Sequence, residues 1–156
     1  MQLRNMRIVV MLAAFSAALA LFSGRVEAQS SLNEQVSEAA TLVRIGGSSN
    51  ERTLASMLLC GITGGEAAKR VDDESLALIE QLLDSSDDSV RYWIALCLGH
   101  NFGPRAKGAV PKLLEILDRE DCVRRANTSA SAIRMALKAI SGMDPPKKCE
   151  LSREKQ

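Results

Sequence analysis

The sequence predicts an all-α chain, a short right-handed stack of helical hairpins with a capping helix at its start. Three observations predict it. A D-x-V-R signature stands at Asp88 to Arg91 and again at Asp121 to Arg124. Each copy follows a leucine-rich run ending in Leu-Asp. The step from Leu83-Asp84 to Leu117-Asp118 has the length of one helical-hairpin repeat. Apolar residues recur at spacings of three and four, while aromatic residues make up only 3% of the chain, which suits stacked small-residue helices better than a sheet.

Residues 1–28 read as a secretory signal peptide. Arg4 and Arg7 give a basic start, and an apolar run follows from Ile8 to Phe22. Val26 and Ala28 place small residues before a cut ahead of Gln29. The run is short for a membrane span, which needs about 20 residues, so no stable membrane insertion is expected after cleavage. The chain is therefore expected in the periplasm or outside the cell. Residues 29–142 form the expected helical domain, and 143–156 a polar tail carrying Pro145-Pro146.

Ser31 and Glu34 fit a capping box, with Val36, Ala39, Ala40 and Val43 following on one helical face until Gly46-Gly47 stops it. The next hairpin is read by an offset of 37, which carries Ser48-Ser49-Asn50-Glu51 onto Ser85-Ser86-Asp87-Asp88 and Leu59-Cys60 onto Leu96-Cys97. Residues 50–63 and 87–101 are then equivalent first helices, each started by an Asn or Asp cap. A second helix is expected from Asp73 to Leu83, facing Leu76, Ile79, Leu82 and Leu83 inward. Its counterpart begins at Pro104 or after Gly108 and buries Val110, Leu113, Leu114 and Leu117. A long third helix is expected from near Glu120 to Ser141, through Val123, Ala126, Ala130, Ile133, Ala136, Leu137 and Ile140, with Gly142 as its stop.

Removing residues 1–28 takes three of the 20 basic and one of the 19 acidic residues, leaving a formal charge of −1. That gives no electrostatic case for nucleic acid. All four cysteines lie beyond the cut, and an even count in an exported chain suggests disulfides. Of the three pairings, Cys60–Cys97 with Cys122–Cys149 is preferred; the alternative leaves Cys60 and Cys97 as buried free thiols.

The stretches Leu82 to Arg91, Ala95 to Gly99, Gly103 to Ala106 and Ala109 to Leu114 resemble a HEAT repeat. The resemblance covers roughly residues 48–142 and is weakest in the first repeat, which lacks the Val-Arg pair. It implies a HEAT-like (ARM-type) α-hairpin solenoid, with Asp87 or Asp88 as cap, Val90 in the core and Arg91 reaching an acid or carbonyl of the neighbouring repeat. Such a stack implies an interaction surface rather than a reaction. In size, export and architecture the chain is also similar to periplasmic immunity proteins that neutralise type VI secretion amidase effectors. That likeness implies an inhibitor occluding a secreted cell-wall-degrading enzyme; the alternative is a structural adaptor in an envelope complex. A homodimer is compatible with either.

No catalytic set is legible, so no enzyme activity, cofactor or metal is expected. His100 is the only histidine, the cysteines do not form CxxC pairs, and the nucleophile motif G-x-S-x-G is absent. Partner contact is expected at Tyr92, His100, Asn101, Phe102 and Arg105, on and after one helix. Tyr92 is read as pointing outward and Trp93, spaced with Val90 and Cys97, as core.

Overall fold

Caps and inward stripes define each helix of the computed structural model, which describes residues 31–120 and 129–145. Among these residues there are helices but no strand. Ser31 and Glu34 close the expected capping box at the start of α1, Leu32–Ile45, which buries Val36, Ala39, Ala40 and Val43. A second capping box, Ser48 with Glu51, starts α2, Ser49–Ile62. Asp72 accepts from the Ser75 amide to start α3, Asp73–Gln81, whose end tightens into a 3-10 turn, Leu82–Asp84. Asp87 caps α4, Asp88–Cys97. A polar cap of this kind is worth about 1 kcal/mol.

Beyond Cys97 the helix widens into a π segment, Leu98–Phe102. It turns at Gly103, with φ of 49°, into a 3-10 stretch, Gly103–Ala109, that carries Pro104 in its first turn. Helix α5, Val110–Glu120, follows, and α6 spans Ser129–Ser141. Gly142 ends α6 with φ of 73°, its amide donating to the Lys138 carbonyl. Glu120 therefore closes α5 and does not open the last helix. The signal segment, the second D-x-V-R, Val123, Ala126, Cys122 and Cys149 lie outside the described residues.

Helix α2 packs between α1 and α4, and α4 packs in turn against α6. On the other side α3 touches α1 and the Gly103–Ala109 turn, while α5 packs on α6. Leu59, Ile79, Leu83, Ile94, Leu98, Leu113, Ile116, Ile133 and Leu137 are fully buried between them. Each contributes roughly 1.5–3 kcal/mol by leaving water. Of the expected inward residues of α5, Leu113 and Leu117 are buried, Val110 and Leu114 only partly; Ile116 joins the core as well.

Two arginines bind the hairpins in the same way. Arg52 donates to the Gly46 carbonyl at 3.0 Å and reaches Asp87 at 3.0 Å. Arg91 donates to the Ser85 carbonyl at 2.6 Å and reaches Glu120 at 2.6 Å. Each arginine stands four residues after its cap, so cap and clamp align Ser48 with Asp87 and Arg52 with Arg91. That register is two positions longer than the expected offset of 37, and it replaces Asn50 by Ser48 as the cap. The first repeat does carry the arginine. Burial alone would raise the Asp87 carboxyl, but hydrogen bonds from Ser49, Arg52 and the Ser89 amide hold it below the usual carboxylate range.

Small residues let the π segment and α6 approach closely. A Cβ on Gly99 would stand 2.7 Å from the Ala136 Cα, a backbone-linked atom that cannot swing aside. Gly99→Ala is therefore expected to cost about 1–3 kcal/mol through overpacking. Thermal unfolding checks this; an unchanged midpoint would show that the two helices have room to separate.

Candidate functional site

The five residues expected to meet a partner are mostly engaged inside the fold. Phe102 is buried. Asn101 donates through Nδ2 to the Cys60 carbonyl at 2.9 Å and to Thr63 Oγ1 at 3.1 Å, tying the π segment to the end of α2. Arg105 donates to the Ala68 and Val71 carbonyls at 2.6 and 2.8 Å and pairs with Asp73 at 3.2 Å. It thereby holds the end of the 3-10 turn Gly65–Arg70. His100 is exposed.

Tyr92 and Trp93 do not divide as expected. Both are half-buried, and Tyr92 packs against the core. Their rings meet edge to face, with centroids 5.5 Å apart. Adjacent helical positions differ by only about 100°, so two rings can share one boundary between core and solvent.

The expected Cys60–Cys97 bridge is absent; both residues are free thiols, side by side. Each sulfur is held in a hydrogen bond instead. The Cys60 thiol donates to the Trp93 carbonyl at 3.2 Å. Cys97 Sγ lies 3.4 Å from Thr63 Oγ1 and accepts from Asn101 Nδ2 at 3.6 Å. The neighbouring Cys97 sulfur, followed by burial, pushes Cys60 up. Cys60 in turn lowers Cys97; burial opposes it, while Thr63 and Asn101 reinforce it.

Among the described residues the uncovered apolar surface lies elsewhere, on the outer face of the α1–α2 hairpin. Leu42, Ile45, Leu54, Met57 and Leu58 are between 42% and 71% exposed. Leu42, Ile45, Gly46, Glu51, Leu54, Ala55 and Leu58 line a shallow groove there of about 660 Å³. Leu54, Met57, Leu58 and Gly61 follow the spacing of one helical stripe, and Leu42 and Ile45 do so on α1. Glu51 lines the groove, and Glu38 is exposed one turn before Leu42 on the same stripe of α1. Arg44 is turned away to Gln81, at 2.9 Å.

This face escaped the sequence reading because α2 is apolar on two sides. Its inward side is built from Ala55, Ser56 and Leu59, with Ser56 Oγ returned to the Arg52 carbonyl. The bulkier Leu54, Met57 and Leu58 point outward. That inversion of size, small inside and large outside, was the available signal.

A second, more polar cleft of about 440 Å³ is lined by Val43, Arg44, Arg52, Gln81, Leu82, Asp84, Ser85 and Ser86. Its arginines are already committed to Gln81, Gly46 and Asp87. Among the described residues no cluster of three or more His, Cys, Asp or Glu side chains can hold a metal ion. No helix among them is long and apolar enough to cross a membrane. A scan of protein-family models and searches of curated proteins and of solved structures find no match to the chain.

Proposed function

We propose that this chain is a protein-binding module, a short HEAT-like stack that engages its partner through the outer face of α1 and α2. The exposed apolar groove carries the reading. Leu42, Ile45, Leu54, Met57 and Leu58 are 42–71% exposed on this one face, and contiguous exposed apolar patches mark interaction sites. The equivalent clamps of Arg52 and Arg91 support the repeat architecture. The acidic side chains of Glu38 and Glu51 favour an apolar helical segment flanked by lysine or arginine as the occupant.

Within that reading we propose an exported immunity or inhibitor protein, which blocks a secreted cell-wall amidase by covering part of it with this end of the stack. Binding alone is sufficient for such a role, with no reaction by this chain. The contact moves from the expected His100 region, where Asn101, Phe102 and Arg105 are engaged internally, to Leu42, Ile45, Leu54, Met57 and Leu58.

A photo-crosslinking residue placed at Leu58 or at His100, in cells exporting the chain, tests both levels. An adduct from Leu58 with a wall-degrading hydrolase, lost in a Leu42→Glu, Leu54→Glu variant of unchanged melting temperature, is the expected result. An adduct from Leu58 with a non-hydrolytic envelope protein would replace the inhibitor by an adaptor. Crosslinking from His100 alone would overturn the assignment of the face.

A further inference from the structure

The bulky apolar side chains that stay open to water are not scattered over the fold. Among the described residues they are Leu42, Ile45, Leu54, Met57 and Leu58 on α1 and α2, and Met135 and Met143 on and just after α6. Helix α2 packs on α4, and α4 on α6, so the two groups lie at the two ends of that row.

The ends differ in charge. The α1–α2 face presents Glu38 and Glu51, while Arg44 and Arg52 are bound to Gln81 and Asp87. Helix α6 carries Arg134 and Lys138 and no acidic residue. Lys138 reaches Asp144 at 3.5 Å, but the two side chains are 70% and 72% exposed, and a surface pair of this kind is weak enough to be exchanged. The shapes match as well. Ser131, Met135 and Ala139 are exposed along one stripe of α6, so one long side chain stands between two small ones. The α1–α2 groove sets Gly46 and Ala55 among the larger Leu42, Ile45, Leu54 and Leu58.

We propose that copies of this chain associate head to tail, with α6 of one copy laid in the α1–α2 groove of the next. Met135 enters between the leucines, and Lys138 exchanges Asp144 for the carboxylates of Glu38 and Glu51. The interface is heterologous: it joins two different surfaces and leaves one of each free on every open oligomer. Two α1–α2 faces brought together would instead set carboxylates against carboxylates, which disfavours a symmetric pair. The inference rests on the α1–α2 face as a docking surface, and it makes a second copy and a hydrolase competitors for the same groove.

Sedimentation of the chain purified from the cells that make it tests the arrangement. The mean mass should rise with concentration and fall as added salt screens the opposite charges. Leu54→Glu and Met135→Glu replace residues that are 64% and 63% exposed, so both variants should keep the melting temperature of the unaltered chain. Each alone should associate roughly tenfold more weakly, or worse. Mixed in equal amounts they should form a dimer and nothing larger, because the groove of the Met135→Glu chain still accepts α6 of the Leu54→Glu chain. Leu58→Glu and Ala139→Glu repeat the test at a second position on each face. An unaltered chain that stays monomeric up to about 1 mM would overturn the proposal. So would a Met135→Glu variant that pairs with itself as well as the unaltered chain does, or a mixture that remains monomeric. A hydrolase adduct at Leu58 from a monomeric chain would remove this proposal alone and leave the partner assignment standing.

Discussion

Val90→Asp is expected to unfold a large fraction of the chain. Val90 has no exposed surface and sits on the face of α4 that also buries Ile94, Ala95 and Cys97. A carboxylate placed there replaces a packed aliphatic group and leaves an uncompensated charge in the interior. The cost is about 3–5 kcal/mol, a large part of the 5–15 kcal/mol that holds a typical domain together. Val90→Ala, which only opens a cavity, should cost less. The introduced carboxyl would have its folded pKa raised by burial, so the folded state binds the extra proton more tightly. Stability lost at neutral pH should therefore be partly regained as pH falls toward the ordinary carboxylate range. Urea unfolding of both variants at two pH values checks this. A midpoint unchanged by Val90→Asp would mean that the inward face of α4 is misassigned.

Arg91→Ala is expected to be nearly as damaging, for a different reason. The Arg91 guanidinium is 10% exposed and the Glu120 carboxylate 13% exposed, with 2.6 Å between their charged atoms. Arg91 also satisfies the Ser85 carbonyl and touches Asp88 at 3.4 Å. Removing the cation leaves the half-buried Glu120 carboxylate with only the Ser129 hydroxyl and, at 4.0 Å, Arg119, which costs about 3 kcal/mol. The pair itself need not be strongly stabilising, because both ions lose hydration when they are buried. A double replacement, Arg91→Met with Glu120→Gln, should accordingly recover much of the loss. Arg52 provides an internal comparison, since it makes the same kind of clamp but its side chain is 28% exposed. Solvent screens that pair more, so Arg52→Ala should cost only about 1 kcal/mol. Equal losses for the two alanine variants would show that burial does not distinguish them.

Local chemistry was readable where it acts over one or two turns. The capping box at Ser31 and Glu34, the stripe Val36, Ala39, Ala40 and Val43, and the stop at Gly46 all stand as expected. So do the inward residues Leu76, Ile79, Leu82 and Leu83, and the C-terminal stripe Ala130, Ile133, Ala136, Leu137 and Ile140. The repeat register failed because Leu59-Cys60 and Leu96-Cys97 match as letters but not as positions. Cap and clamp set the true register, Ser48 with Asp87 and Arg52 with Arg91, and it is two positions longer. In the candidate site, Asn101 and Arg105 look like free polar groups in sequence. Both instead satisfy carbonyls of the preceding hairpin, which the sequence does not pair with them.

By itself the sequence determined that this chain is helical, where most helices begin, and which side of α1, α3 and α6 goes inward. Caps and apolar spacing are short-range, so neighbouring residues suffice to express them. Tertiary structure alone decided that Arg52 reaches Asp87, and that Leu54 and Leu58 remain uncovered among the described residues. Those outcomes depend on contacts between residues far apart in the chain, made or missed when whole hairpins pack. A residue's own neighbours carry no record of which helix will lie across it, and so none of which apolar face stays open to a partner.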